Sequence, residues 1–205
     1  MGNRIDLRKF LSLAICVVLA MQVFAQEAPD AMVKDVTNEV LGILKKGTDK
    51  SALKLVEQKV IPHFDFERMT ALAVGRDWRS ATPEQRKALI DAFHDLLVNT
   101  YSNALASYKG ETVDFKPSRS APSSNEATVH SEIHQSSGKA IPLDYVVEKH
   151  GNEWKVYDVS VAGISLVTNY RQQFSTEVQR SGIDGLIKLL QEKNRGNAAS
   201  RKANS

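Results

Sequence analysis

The spacing of apolar residues along this chain changes from 3.6 to 2 near Gly110 and back again at Gly163, and these two changes predict its elements. Val33, Val36, Val40 and Leu44 lie at helical spacing between Asp30, a capping residue, and Gly47, a stop, so residues 30–46 are expected as a helix. A second helix is expected over 50–60, ended by Pro62, and a short apolar one over 67–74, closed by Gly75. Thr82-Pro83-Glu84-Gln85 puts a hydroxyl at N-cap, proline at N1 and glutamine at N3, which makes a capping box. The helix it opens can run to Tyr108. Its stripe of Leu89, Ala92, Phe93, Leu96, Leu97, Tyr101, Ala104, Leu105 and Tyr108 is apolar for about seven turns and is the longest hydrophobic surface in the sequence.

Beyond Gly110 the alternation is that of strands. Residues 112–116 form the first. After a polar loop over 117–125, Ala127, Val129, Ser131 and Ile133 alternate with Thr128, His130, Glu132 and His134. A turn at 136–139 leads into 141–149, with Leu143, Tyr145 and Val147 on one side, and a second turn leads into 154–161. The pattern describes an antiparallel meander of about four strands with one wet face. Helix returns over 164–180, and a last amphipathic helix ends near residue 194. Residues 195–205 hold no apolar side chain larger than alanine and read as a disordered tail. Helices, then strands, then helices without a βαβ repeat give an α+β fold, in which N-terminal helices and one long helix pack against the sheet.

The first 25 residues stand apart. Arg4, Arg8 and Lys9 precede a 16-residue apolar run, and Val23-Phe24-Ala25 offers small residues where a signal peptidase reads. The run is short for a spanning helix, which needs about 20 residues. Residues 1–25 are therefore expected to be a cleaved secretory signal, leaving a single domain over 26–194 and the tail. Three bases and one acid leave with the signal, so the formal charge falls from +3 to +1. A chain so near neutrality is a poor nucleic-acid binder. Cys16, the single cysteine, lies inside the signal, and Ile15 sits where a lipoprotein cleavage box needs a small residue. The mature chain then has no disulfide, no Cys–zinc site and no Cys nucleophile.

Enzyme chemistry finds little footing. His130 and His134 share a strand face but lie about 13 Å apart, too far for one metal ion, and are expected on the wet side. His63 and Asp65 lack a third ligand. His94 is expected at the edge of the long stripe. Gly163-Ile164-Ser165-Leu166-Val167 lacks the second glycine of a nucleophile elbow. Glu132 and Asp144 can face each other across a hairpin, but on the polar side. No catalytic residue, metal site or cofactor is expected. Binding fits better, since aromatic residues gather where helix and sheet should meet: Tyr101 and Tyr108, Tyr145 and Trp154, Tyr170 and Phe174. A helix stripe of this length is more than simple packing on a sheet requires, which favours a space between them.

Several runs also resemble the MlaC family, known as toluene-tolerance proteins. They are Pro62-His63-Phe64-Asp65-Phe66-Glu67-Arg68-Met69, Leu72-Ala73-Val74-Gly75-Arg76-Asp77-Trp78-Arg79 and Ala81-Thr82-Pro83-Glu84-Gln85, followed by Trp154-Lys155-Val156-Tyr157-Asp158-Val159, Gly163-Ile164-Ser165-Leu166-Val167, Asn169-Tyr170-Arg171 and Gly182-Ile183-Asp184-Gly185-Leu186-Ile187. They occur in family order over most of residues 31–194. The resemblance implies a non-enzymatic periplasmic carrier. It would move phospholipid between an outer-membrane lipoprotein–porin complex and the inner-membrane ABC transporter of the Mla system, maintaining outer-membrane lipid asymmetry. It also implies acyl chains held between sheet and helices.

Periodicity then nominates the lining: Leu97, Tyr101, Leu105 and Tyr108 from the helix, Val129, Ile133, Tyr145 and Val147 from the meander, and Trp154, Val156, Ile164, Val167 and Tyr170 beyond. A strand inverted by one residue would exchange alternate members. Arg76, Arg79 and Arg171 are candidates for a headgroup contact or a docking face. Two other readings stay open: a small-molecule-binding or enzymatic α+β cone with a buried Asp–His pair, and an adaptor with a filled core.

Overall fold

The structure, a computed structural model, describes residues 28–117, 124–136 and 138–203; the expected signal and part of the 117–125 loop lie outside them. Helix α1 (Pro29–Leu44) begins with proline in its first turn, and α2 (Lys50–Val60) is capped by Asp49, whose carboxylate accepts the Ala52 N–H at 2.8 Å. A 3₁₀ turn (Ile61–His63) leads to α3 (Phe66–Val74), capped by Asp65, and a second 3₁₀ turn (Gly75–Arg79) leads to α4 (Pro83–Ala106). The capping box at Thr82 and Gln85 is formed in both directions, satisfying two backbone donors that the helix itself leaves free.

Five antiparallel strands follow in sequential order: β1 (Thr112–Phe115), β2 (Glu126–His134), β3 (Ile141–His150), β4 (Glu153–Val161) and β5 (Ile164–Ser165). The two-residue β5 extends the expected meander. Between β3 and β4 the register shifts: Val147 pairs with Val156 but Val146 with Asp158, leaving Tyr157 as an extra residue. This bulge turns Val159 and Val161 onto the same inner face as Trp154 and Val156, an exchange that strict alternation does not foresee.

The last helical element, α5 (Leu166–Ala203), is two helices joined across a kink at Gly182 (φ 72°, ψ −175°). Only glycine takes that conformation without strain, which explains how one element serves as the two helices the sequence suggested. Its start is fixed by two oxygens: the Ser165 hydroxyl accepts the Thr168 N–H at 3.0 Å, and Asp158 accepts the Val167 N–H at 3.1 Å. Ser165 is thus a helix cap. The helix continues through residues 195–203, where composition suggested disorder. Alanine, arginine and lysine are strong helix formers and extend a helix already nucleated.

Two cores result. Met69, Ala73 and Val74 of α3, Leu89, Phe93 and Leu96 of α4, and Val167, Phe174, Leu186 and Leu190 of α5 form a helical core. The Phe93 ring meets Tyr170 and Phe174 edge-on at 5.0 and 5.1 Å. Polar ties reinforce it: Gln85 donates to Asp184 at 2.8 Å, and Asn194 donates to the Ala92 carbonyl at 2.8 Å. The second core joins Met32 and Val33 of α1 to Ala127, Val129, Val147, Trp154, Val156 and Val159 of the sheet. The inner face of the sheet is therefore packed by α1, and α4 packs chiefly on α5 and α3.

A candidate lipid cavity between the two cores

Between those cores lies a cavity of about 550 Å³, inside the roughly 300–1,000 Å³ range of small-molecule sites. Four groups of side chains line it. The C-terminal half of α4 supplies Leu97, Tyr101 and Leu105, the turn after it Tyr108, and the sheet Val113, Ile133, Ile141, Leu143, Tyr145, Val156, Val159 and Val161. Helices α1 and α2 form the roof with Val36, Val40, Leu41, Leu44, Leu53, Val56 and Val60, and Phe64, Phe66 and Met69 close the side toward the helical core. The polar members are Thr37, Glu57, His63, Ser102, Glu111 and Gln135. Many lining residues are half-buried although they point inward, because the space beside them is unfilled.

Burial pushes the Tyr145 phenol above its ordinary range, and a hydrogen bond with Thr37 offsets this in part. Burial likewise raises Tyr101, with the nearby Tyr170 adding to it. Glu111 shows the opposite. The Lys109 N–H donates to it at 2.8 Å, and backbone donors hold this carboxyl below its usual value.

Of the residues nominated from sequence, the structure brings Leu97, Tyr101, Leu105, Tyr108, Ile133, Tyr145 and Val156 to the cavity wall. Val129, Val147 and Trp154 share the inner face but are sealed into the sheet core by α1. Val167 and Tyr170 belong to the helical core, where α5 turns them toward α4. Ile164 is 63% exposed beside the tight turn at Ala162-Gly163. Sequence reasoning missed the roof, although the Val36, Val40 and Leu44 stripe was its visible signal.

The remaining candidates fall outside the wall. Arg76 and Arg79 sit on the 3₁₀ turn after α3, and the Arg171 guanidinium lies against Gly75 (φ 73°), where a Cβ would stand 3.4 Å from Arg171 Nε. None of the three lines the cavity. His130 pairs with Asp144 at 2.8 Å and His134 with Asp114 at 3.2 Å on the outer sheet face. Glu132 faces Pro142 rather than Asp144 and pairs with Lys116. His94 packs edge-on against Phe66 at 4.8 Å. Asp65 finds its imidazole partner in His150, not His63, and neither Asp65 nor His150 lines the cavity.

Comparison with known proteins agrees with this architecture. The family model described as MlaC protein matches residues 34–192. The toluene tolerance protein ttg2D of Pseudomonas putida is 29% identical over 167 residues, covering 78% of this chain and 77% of its own. The intermembrane phospholipid transport system binding protein MlaC of Haemophilus influenzae is 24% identical over 203 residues, covering 93% and 95%. A phospholipid-binding protein from Ralstonia solanacearum, solved in complex with a phospholipid, superposes with a TM-score of 0.78 at 37% identity, covering 84% of this chain and 99% of that one. By the extent of the family match, this chain belongs to the MlaC family.

Proposed function

We propose that this protein is a periplasmic phospholipid carrier, exported by its N-terminal signal and exchanging lipid with an outer-membrane lipoprotein–porin complex and an inner-membrane ABC transporter. The observation that carries the reading is the cavity, an apolar chamber walled by α1, α2, the C-terminal half of α4 and the sheet. The phospholipid held by the Ralstonia relative supports the same cargo here. A diacyl lipid carries about 30 methylenes, and at about 0.8 kcal/mol each their exposure to water costs on the order of 25 kcal/mol. No such molecule crosses an aqueous space bare at a useful rate. Exchange between a bilayer and an apolar chamber, in contrast, is close to neutral, so the carrier needs no reaction and no cofactor. Its direction is set by differential affinity among its partners.

Arg76, Arg79 and Arg171, grouped around one turn at the helical end, are proposed as part of a docking face rather than as headgroup contacts.

The test is the lipid itself. Organic extraction of purified protein followed by mass spectrometry is expected to yield stoichiometric phospholipid. Leu143→Glu, in the middle of the cavity floor, is expected to leave a folded protein with at least a tenfold loss of lipid. A lipid-free wild type, or a Leu143→Glu protein with unchanged lipid, overturns the reading.

A further inference from the structure

The cluster of Asp65, Glu148 and His150 takes no part in the cavity, and its chemistry is that of a metal site. Glu148 and His150 stand two residues apart on β3, so both project from one face of the strand. Asp65 is brought alongside by the chain leaving α2: the Phe64 segment pairs with Val156, and the Asp65 N–H donates to the Val156 carbonyl at 2.8 Å. His150 Nε2 then lies 3.1 Å from Asp65 Oδ2 and 3.0 Å from Glu148 Oε1, and the three atoms fall within 4.8 Å of one another.

One imidazole nitrogen faces two carboxylate oxygens, so an Nε2–H there is divided between two acceptors. A metal cation held among the three would bond all of them at once. Tetrahedral zinc bonded at about 2.0–2.2 Å separates its ligands by roughly 3.3–3.6 Å, which small side-chain movements supply.

The surroundings orient the ligands. The other Asp65 oxygen, Oδ1, accepts the Arg68 N–H at 2.8 Å, and the other Glu148 oxygen, Oε2, is paired with the Arg68 guanidinium. Such supports fix a ligand's aim in metal sites. Charge adds a second argument. Arg68 is shared by Glu148 and Glu126, which lie directly opposite each other on β3 and β2. With Asp65 and Glu153 the locality holds four carboxylates against the Arg68 guanidinium and the Lys155 ammonium, which stands opposite Glu148 on β4. The two carboxylate ligands are only 14% and 16% exposed, while His150 at 45% leaves a path in from solvent.

We propose that Asp65, Glu148 and His150 bind one divalent transition-metal ion, with imidazole and carboxylate donors suited to zinc and a fourth position open to water. The ion joins the N-terminus of α3 to the end of β3 and so clamps the segment that carries Phe64 and Phe66, both on the cavity wall. Its role is structural. Spacing hid the site because His150 lies 85 positions from Asp65 in the sequence.

Titration calorimetry of chelator-treated, full-length protein with zinc chloride tests it. One zinc per chain is expected, with a raised melting temperature, and at least tenfold weaker binding in His150→Ala. The doubly substituted His130→Ala/His134→Ala protein is expected to bind as the wild type does. Absence of stoichiometric binding by the wild type up to millimolar zinc, or unchanged binding by His150→Ala, overturns the proposal. A zinc-edge anomalous difference map reads the same question without any variant: density bonded to His150 Nε2 supports it, and density confined to other histidines overturns it.

Discussion

The N-terminal half of α4 is packed solid and its C-terminal half faces a hollow, although one uninterrupted apolar stripe runs through both. Leu89 and Phe93 have no exposed surface, and the space around them is filled by Tyr170, Phe174, Leu186 and Leu190. Two turns further on, Tyr101 borders both the helical core and the cavity, and beyond it Leu105 and Tyr108 face the cavity, with the sheet opposite engaged by Met32 and Val33 of α1. Leu97 belongs to both, at the boundary. Hydrophobicity alone therefore does not distinguish a core from a container. The distinction is made by which elements stand opposite and how far their own side chains reach.

The largest effect should come from the solid half. Phe93→Ala removes a ring that touches two others, and a buried phenylalanine lost in this way costs about 3–5 kcal/mol. Urea denaturation is expected to show that loss. A cost below about 1 kcal/mol would mean that this core is as loose as the cavity.

A matched pair of leucines on the same helix puts the contrast to a sharper test. Leu89→Ala is expected to cost about 2–5 kcal/mol, whereas Leu105→Ala, which only widens an existing space, should cost below about 1 kcal/mol in lipid-free protein. With cargo present the gap should narrow, because Leu105 then has hydrocarbon to touch. Equal costs in delipidated protein would erase the distinction between the halves.

What the sequence allowed to be read follows the same division between local and remote causes. The α2 bounds, the capping box at Thr82 and the strand edges near Ile141 and Val161 were legible, because each is written within a few residues of itself. The inner face of the sheet was legible from alternation, except across the bulge at Tyr157. Depth was not. Val129 and Val147 point the same way as Ile133 and Tyr145, yet the first pair is sealed into the core under α1 while the second borders the cavity, and nothing within β2 or β3 records where α1 lies. Tyr170 was misplaced for a similar reason: its aromatic character signalled burial, but the rotation of α5 chose which core received it. The two-residue β5 is too short to show any period. The pairing of Asp65 with His150 depends on topology alone.

The smallest expected effect separates a chamber holding hydrocarbon from one holding water. Burial raises the phenols of Tyr145 in the cavity and Tyr170 in the solid core, with hydrogen bonds from Thr37 and Thr100 respectively working against it. In each case the folded chain keeps its proton at a pH where the unfolded chain has released it. Unfolding is then accompanied by proton loss, so stability falls as pH rises from about 10 through the raised folded value and is unaffected below that window. Denaturation midpoints between pH 9 and 11.5 are expected to show the fall, and Tyr170→Phe should flatten it in part because that ring packs against Phe93 and Phe174 in the helical core. If lipid occupies the cavity, Tyr145→Phe should flatten it as well. If water does, the Tyr145 phenolate is hydrated in the folded state, and this variant should follow the wild-type curve while Tyr170→Phe does not.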